Sequence, residues 1–288
     1  MKKYLKFGLV MAAIGIVIVG ILYGDTIRLI YRSIHAFKEE NLAHSFQTMY
    51  EIQPSRKISK GEKVSKFEYH LMSMIETFKF RGEDLSTHQF LEETKTSGLL
   101  VVANNKIAYE NYYLGSDEST RFSSNSICKS FTSALVGIAI EEGYINSVDD
   151  SIAQYIKAFK NTEMENITIK DCLQMSSGID FDEVSDMSKI SITSMFGVSK
   201  MKSIAKFGLL HQPGTYRAYS SINTDILGEI VSIATGYSLS EYMEKKIWSQ
   251  LGVEYDAYWT LSNHKELANG GLHIALRESY LKAGLKNL

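Results

Sequence analysis

A chain of 288 residues, 44% of them apolar, is long enough to bury a substantial core in one large domain or two small ones. Its formal net charge of −2 gives no reason to expect nucleic acid as a partner. The histidines and cysteines lack metal-ligand spacing and no glycine-rich phosphate loop occurs, so no metal or cofactor is predicted.

The N-terminal segment, residues 1–24, is interpreted as a membrane anchor. Residues 7–24 contain no charge, and a helix of this length spans roughly 27 Å, close to the ~30 Å of a bilayer core. A cleaved signal peptide is the alternative, but it would have a shorter apolar run and a small-x-small cleavage site. Because three lysines precede the run, we expect a single-pass protein with a cytoplasmic N-terminus and an extracytoplasmic remainder.

Residues 25–95 are predicted to form a stalk with some helix. Residues 26–46 and 66–78 each have a partial helical period, and the polar stretch 53–63 between them is typical of a linker. The first strong strand pattern follows at 97–114, where two apolar runs flank a pair of asparagines. Because asparagine tolerates left-handed backbone, this pattern predicts a β-hairpin.

From residue 122 onward the chain is predicted to be mostly helical. Residues 126–143 are apolar nearly all round, which is typical of a buried central helix, and Gly143 can end that helix. Another helix is predicted to end at Gly236. Two shorter helices begin at capping-box spacings, Thr168 with Asp171 and Ser238 with Glu241. Cys128 and Cys172 both lie in helical patterns, and we expect two small buried side chains rather than a disulfide.

The predicted hairpin needs further strands, because an isolated two-stranded sheet is marginally stable. After residue 114 no strand pattern of comparable quality follows, and residues 255–261 are the only candidate. The sequence therefore predicts a sheet that is begun by the hairpin and left incomplete.

A serine three residues before a lysine recurs along this chain, as in the pairs Ser126/Lys129, Ser199/Lys202, Ser203/Lys206 and Ser262/Lys265. Only Ser126/Lys129 enters an apolar helix. Residues three apart share a helix face, so Lys129 would lie over Ser126 in partly dry surroundings that disfavour its charged form. Ser126 would lie in the first turn, where the helix dipole stabilises developing negative charge. This arrangement is typical of an acyl-transfer nucleophile with its base. The alternative is a helix cap followed by a surface lysine.

Four segments, in this order along the chain, resemble segments of the serine β-lactamase and penicillin-binding protein superfamily. They are most similar to its class C-like branch, which includes esterases and 6-aminohexanoate-oligomer hydrolases. The segments are FSSNSICKSF and its continuation (122–156), ITIKDCLQMSSGIDF (167–181), HQPGTYRAYSSINTDILGEI and its continuation (211–253), and DAYWTLSNHKELANGGLHIALRES (256–279).

The resemblance implies an α+β, β-lactamase-like fold, with a helical region packed on an antiparallel sheet, in a domain over residues 96–288. It implies that Ser126 is the acylated nucleophile, Lys129 its proton partner and Tyr219 a proton shuttle to the leaving group. Ser221 stands where many relatives have an asparagine and is expected to bind substrate.

The family's third motif lies on a strand that borders the active site and supplies a second N–H to the oxyanion. Nothing before Leu288 matches it, so we expect a C-terminally truncated relative. The predicted function is a membrane-anchored serine hydrolase that cleaves a small-molecule ester or amide without a cofactor. Two alternatives stay open: a truncated non-catalytic protein, either a binding module or the product of a disrupted gene, and a penicillin-binding D,D-peptidase.

Overall fold

The computed structural model describes Gly20 and residues 23–280. The strands are β1 (Ser55–Ile58), β2 (Glu68–Tyr69), β3 (Thr77–Phe80), β4 (Glu83–Ser86), β5 (Gly98–Ala103), β6 (Lys106–Tyr112), β7 (Phe122–Ser123), β8 (Ala257–Ser262), β9 (Lys265–Glu266) and β10 (Leu272–Ile274). The α-helices are α1 (23–36), α2 (Leu42–Ile52), α3 (Thr87–Glu93), α4 (Cys128–Glu141), α5 (Ile152–Tyr155), α6 (Ile169–Leu173), α7 (Ser185–Met195), α8 (Lys200–Ile204), α9 (Ser221–Thr235) and α10 (Leu239–Met243).

The larger sheet has the strand order β1-β8-β10-β7, and β9 pairs with β8 beside it. Every pairing in this sheet is antiparallel. Helix α4 packs on α9, and side chains of both helices join one buried cluster with Trp259 of β8. Full burial of each large apolar side chain contributes about 1.5–3 kcal/mol, so this layer of helices on a sheet holds the fold together. The predicted α+β class is confirmed.

The predicted hairpin is confirmed as β5 and β6. Asn104 and Asn105 form its turn with φ of 51° and 62°, in the left-handed region that asparagine tolerates. Its third strand comes from an unexpected place, because β2 pairs with β6 in parallel. Residues 66–78 therefore do not form the helix that their periodicity predicted. Main-chain pairing continues past β2, where the N–H groups of His70 and Met72 donate to the carbonyls of Ile107 and Ala108.

Part of the predicted linker, residues 53–63, also belongs to the sheet. Within it, β1 pairs with β8 over four residues, and Ile58 is completely buried. The Ser59 N–H donates to the Glu244 carboxylate at 2.6 Å, which fixes the chain beyond the strand. One buried isoleucine in a polar stretch is too weak a pattern to indicate a strand before its partner is known.

The helix boundaries were predicted well. Gly143 and Gly236 follow the C-terminal ends of α4 and α9 with φ of 77° and 74°, and both predicted capping boxes are present. The prediction for the cysteines is confirmed, since Cys128 and Cys172 are free and buried. Burial raises the pKa of the Cys128 thiol to about 12, which keeps this thiol protonated and unreactive.

The predicted membrane anchor and single-pass localisation are not supported by the structure. No helix within Gly20 and residues 23–280 is long and apolar enough to cross a bilayer. Most of the predicted anchor, residues 1–19, 21 and 22, lies outside the described residues.

Candidate functional site

Ser126 lies where the chain passes from β7 into α4. It is the middle residue of a 3₁₀ turn, Asn125–Ile127, that leads directly into the helix. The Ser124 N–H donates to the carbonyl of Leu272 at 2.9 Å, which ties this turn to the sheet. Asn125 has a φ of 46°, an uncommon left-handed conformation that reverses the chain immediately before Ser126. The Ser126 side chain is exposed at the N-terminal end of α4.

Lys129 lies one turn further along, on the same face as Ser126. Its half-buried Nζ donates to Ser126 Oγ at 3.0 Å and to the main-chain carbonyl of Asn269 at 2.7 Å. Within residues 23–280, no carboxylate forms an ion pair with Lys129. The Lys129 amine is therefore held by two neutral oxygens, one of which belongs to the exposed serine.

Tyr219 comes from the loop before α9, about ninety residues away in sequence. The N–H groups of Gly214 and Ala218 donate to the carbonyls of Ser176 and Met175, which fixes this loop against the chain that follows α6. Tyr219 Oη lies 2.7 Å from Ser126 Oγ, and its ring centroid is 5.1 Å from Lys129 Nζ. The side chain is 54% exposed, so a substrate can reach the hydroxyl.

The surroundings of Tyr219 favour its ionised form. Partial burial by itself raises the pKa of the phenol, but hydrogen bonds from Lys129 and Ser126 and the positive charge of Lys129 outweigh it. They hold the pKa of Tyr219 below its ordinary value. A phenol that gives up its proton more readily is suited to accept and return a proton beside a hydroxyl group.

Ser221 lies in the first turn of α9, and its side chain is one of the groups that lower the pKa of the nearby Tyr219. Its side chain is buried, and both its N–H and its hydroxyl donate to the carboxylate of Glu183. The hydroxyl that was predicted to bind substrate therefore already has an acceptor. Glu183 was not predicted, because one acidic residue within a polar loop gives no signal of where its carboxylate will dock.

Asn269 was also missed by the sequence analysis. It presents a main-chain oxygen to Lys129, and a main-chain acceptor has no residue-type signature. Its turn packs tightly on β8, because a Cβ at Gly271 would lie 2.6 Å from Thr260 Oγ1 and 2.7 Å from Leu267 Cβ. The pair of glycines after Asn269 is the one hint in the sequence that the backbone makes close contacts there.

Comparison with known proteins shows the family of the chain. A family model described as Beta-lactamase matches residues 87–271. The chain belongs to the β-lactamase family. The superfamily predicted from the four ordered segments is thereby confirmed.

Two curated relatives of this β-lactamase family member span different parts of it. A 6-aminohexanoate-dimer hydrolase of Paenarthrobacter ureafaciens is 26% identical over 246 residues, which cover 81% of this chain and 62% of the relative. Protein flp of Staphylococcus aureus is 30% identical over 158 residues, which cover 51% of this chain and 31% of the relative. The chain thus spans between about one third and two thirds of the length of these relatives.

Among solved structures, the fold is similar to that of a putative 6-aminohexanoate-dimer hydrolase from Bacillus anthracis. The TM-score is 0.75 at 23% identity, and the match covers 84% of this chain and 68% of the other. This likeness shows the β-lactamase-like fold.

Proposed function

We propose that the protein is a serine hydrolase that cleaves a small-molecule ester or amide through an acyl-enzyme on Ser126. One observation carries the proposal. The exposed Ser126 Oγ lies within hydrogen-bond distance of Tyr219 Oη at 2.7 Å and of Lys129 Nζ at 3.0 Å, and this pair can take the serine proton once either group has given up its own. A hydroxyl needs such a base to become a nucleophile near neutral pH.

The first half of the reaction forms the acyl-enzyme. Ser126 Oγ attacks the carbonyl carbon of the substrate and its proton passes to the Lys129–Tyr219 pair, while the carbonyl π electrons move onto oxygen. The N-terminal end of α4 stabilises the resulting oxyanion. When the oxyanion collapses, the bond to the leaving alcohol or amine breaks, and Tyr219 returns the proton to that leaving group.

The second half regenerates the enzyme. A water molecule attacks the ester carbon of the acyl-enzyme and gives a proton to Tyr219 and Lys129. The bond from carbon to Ser126 Oγ then breaks, the acid product leaves, and Ser126 recovers its proton. Every group needed for these proton transfers comes from the 3₁₀ turn before α4, from α4 itself or from the loop before α9, so the proposal involves no cofactor.

The relatives support a small-molecule substrate. Proteins named as 6-aminohexanoate-dimer hydrolases occur both among the curated relatives and among the similar structures. The half-buried Lys129 and exposed Tyr219 leave the serine open on one side, which suits a substrate that approaches from solution.

A fluorophosphonate probe tests the proposal without knowledge of the substrate, because it reacts covalently with activated serines. We expect the full chain to be labelled on Ser126, and Ser126→Ala to lose labelling. Ser199→Ala is the matched control, since Ser199 also stands three residues before a lysine at the start of a helix. Equal labelling of Ser126→Ala and the unmodified chain, or no labelling of either, would overturn the proposed function.

A further inference from the structure

The position of Lys129 depends on a carbonyl that is itself tethered. Lys129 Nζ is 2.7 Å from the main-chain oxygen of Asn269, a shorter distance than the 3.0 Å to Ser126 Oγ. A lysine side chain has several freely rotating bonds, so an acceptor on the far side of Nζ restricts where the amine can lie. The Asn269 carbonyl therefore helps to keep the Lys129 amine beside Ser126.

The side chain of Asn269 points away from Lys129, toward a buried carboxylate. Asn269 Nδ2 donates to Asp225 Oδ2 at 2.7 Å, and the side chain of Asp225 is only 2% exposed. The same oxygen accepts Lys200 Nζ from α8 at 2.9 Å. One buried carboxylate oxygen therefore binds both the Lys200 amine and the Asn269 amide, and hydrogen bonds to a carboxylate are stronger than those between neutral groups.

The backbone on both sides of this contact is closely packed. Asp225 lies on α9, and Gly228 of the same helix approaches Ala268 so closely that a Cβ at Gly228 would lie 2.6 Å from the Ala268 Cβ. The Ala268 carbonyl accepts Thr132 Oγ1 of α4 at 3.0 Å. The turn that carries Asn269 is thus packed against both α9 and α4. Within this turn, the hydrogen bond to Asp225 fixes Asn269, whose carbonyl contacts Lys129.

We propose that Asp225 and Asn269 are positioning residues for the proposed reaction: the Asp225 carboxylate fixes Asn269, whose main-chain oxygen holds the Lys129 amine against Ser126. Neither residue touches the reacting atoms, and both act through Lys129. The inference rests on the proposed function, because positioning has a consequence for rate only where Ser126 is the nucleophile. It also explains why α9, which follows Tyr219 directly, carries a buried acidic residue one turn beyond its start.

The test measures how fast a fluorophosphonate probe inactivates the full chain, with kinact and Ki determined separately. Asn269→Ala removes the tether and leaves the ion pair of Asp225 with Lys200 in place. We expect kinact to fall about tenfold and Ki to stay within about twofold. Asn166→Ala, at an exposed asparagine in a 3₁₀ turn, is the matched control and should leave kinact unchanged.

A double-mutant cycle separates positioning from general destabilisation. If Asp225 acts through Asn269, then Asp225→Ala combined with Asn269→Ala should cost about tenfold in kinact rather than about a hundredfold. Asp225→Asn, which keeps an oxygen acceptor for the Asn269 amide, should recover most of the rate lost in Asp225→Ala. If Asp225→Ala does not fold, Asn269→Ala carries the test alone.

The possible failures are distinguishable. If the unmodified chain is labelled on Ser126 and Asn269→Ala reacts at the same rate, the positioning role is wrong and the proposed function stands. If the double variant loses about a hundredfold in kinact, Asp225 does not act through Asn269, and the inference is again wrong. If Ser126→Ala is labelled as readily as the unmodified chain, the proposed function fails whatever the variants at positions 225 and 269 do.

Discussion

Two regions of this molecule have the same local sequence pattern and contrasting surroundings. Ser126/Lys129 and Ser199/Lys202 each place a serine three residues before a lysine at the start of a helix. Ser199 accepts a hydrogen bond from the Lys202 N–H at 3.4 Å, so it caps α8, and the Lys202 side chain is exposed. Ser126 instead contacts the side chains of Lys129 and Tyr219.

The difference lies in what other parts of the chain bring to each serine. At α8 the serine satisfies a main-chain N–H of its own helix, which is an ordinary structural role. At α4 the loop before α9 contributes a phenol and the turn after β9 contributes a carbonyl that holds the lysine. The Ser-x-x-Lys spacing is therefore compatible with either role, and residues distant in sequence decide between them.

Substitution of the two lysines should give the largest difference in labelling rate between the two regions. Lys129→Met keeps the length of the side chain but cannot accept or donate a proton, so we expect fluorophosphonate labelling to slow by about 10²- to 10⁴-fold. Lys202→Met should leave the labelling rate unchanged, because that side chain is exposed on α8 and has no part in the proposed reaction. A comparable rate for Lys129→Met and the unmodified chain would show that Lys129 does not activate Ser126.

A phenol within reach of Ser126 is the second difference between the regions, and its effect should depend on pH. Because the pKa of Tyr219 is held below the ordinary tyrosine value of about 10, the labelling rate should rise with pH and level off below pH 10. In Tyr219→Phe this rise should disappear, and the rate should fall about 10²-fold. The measurement is the labelling rate from pH 6 to pH 10.

Tyr216→Phe is the matched control for Tyr219→Phe. Tyr216 lies in the same loop, is similarly exposed at 55%, and contacts the ring of His211 rather than Ser126. It should keep both the rate and the pH profile of the unmodified chain. If Tyr219→Phe also keeps the rise in rate with pH, then the proton is not transferred through the phenol.

Local signals predicted the elements that are determined locally. Two asparagines in sequence predicted the turn between β5 and β6, and the serine, threonine and acidic residues at capping-box spacing predicted where α6 and α10 begin. The apolar pattern after Ser126 predicted α4. In each case the hydrogen bonds or the buried face belong to the same short stretch of chain, so neighbouring residues were sufficient.

The parts that sequence analysis missed depend on distant partners. Strands β1, β2 and β10 are two to four residues long, and each is defined by a strand elsewhere in the chain. At the site, Ser126, Lys129 and Tyr219 were predicted as a set with help from a family resemblance. Asn269 was missed because its contribution to Lys129 is a main-chain oxygen, and Asp225 was missed because its role depends on Asn269.

The smallest predicted effect is on the free energy of unfolding, which substitution of the two serines should change by different amounts. Ser199→Ala removes a cap whose hydrogen bond is long, so we expect the free energy of unfolding in urea to fall by about 0.5–1 kcal/mol. Labelling of the folded protein should not change, because the buried Met201 and Ile204 keep α8 and its Lys200 in place. Ser126→Ala, at an exposed side chain that caps no helix, should change stability by less than about 0.5 kcal/mol and abolish labelling. If Ser126→Ala were the more destabilising of the two, Ser126 would have a structural role like that of Ser199, and the contrast between the two regions would be lost.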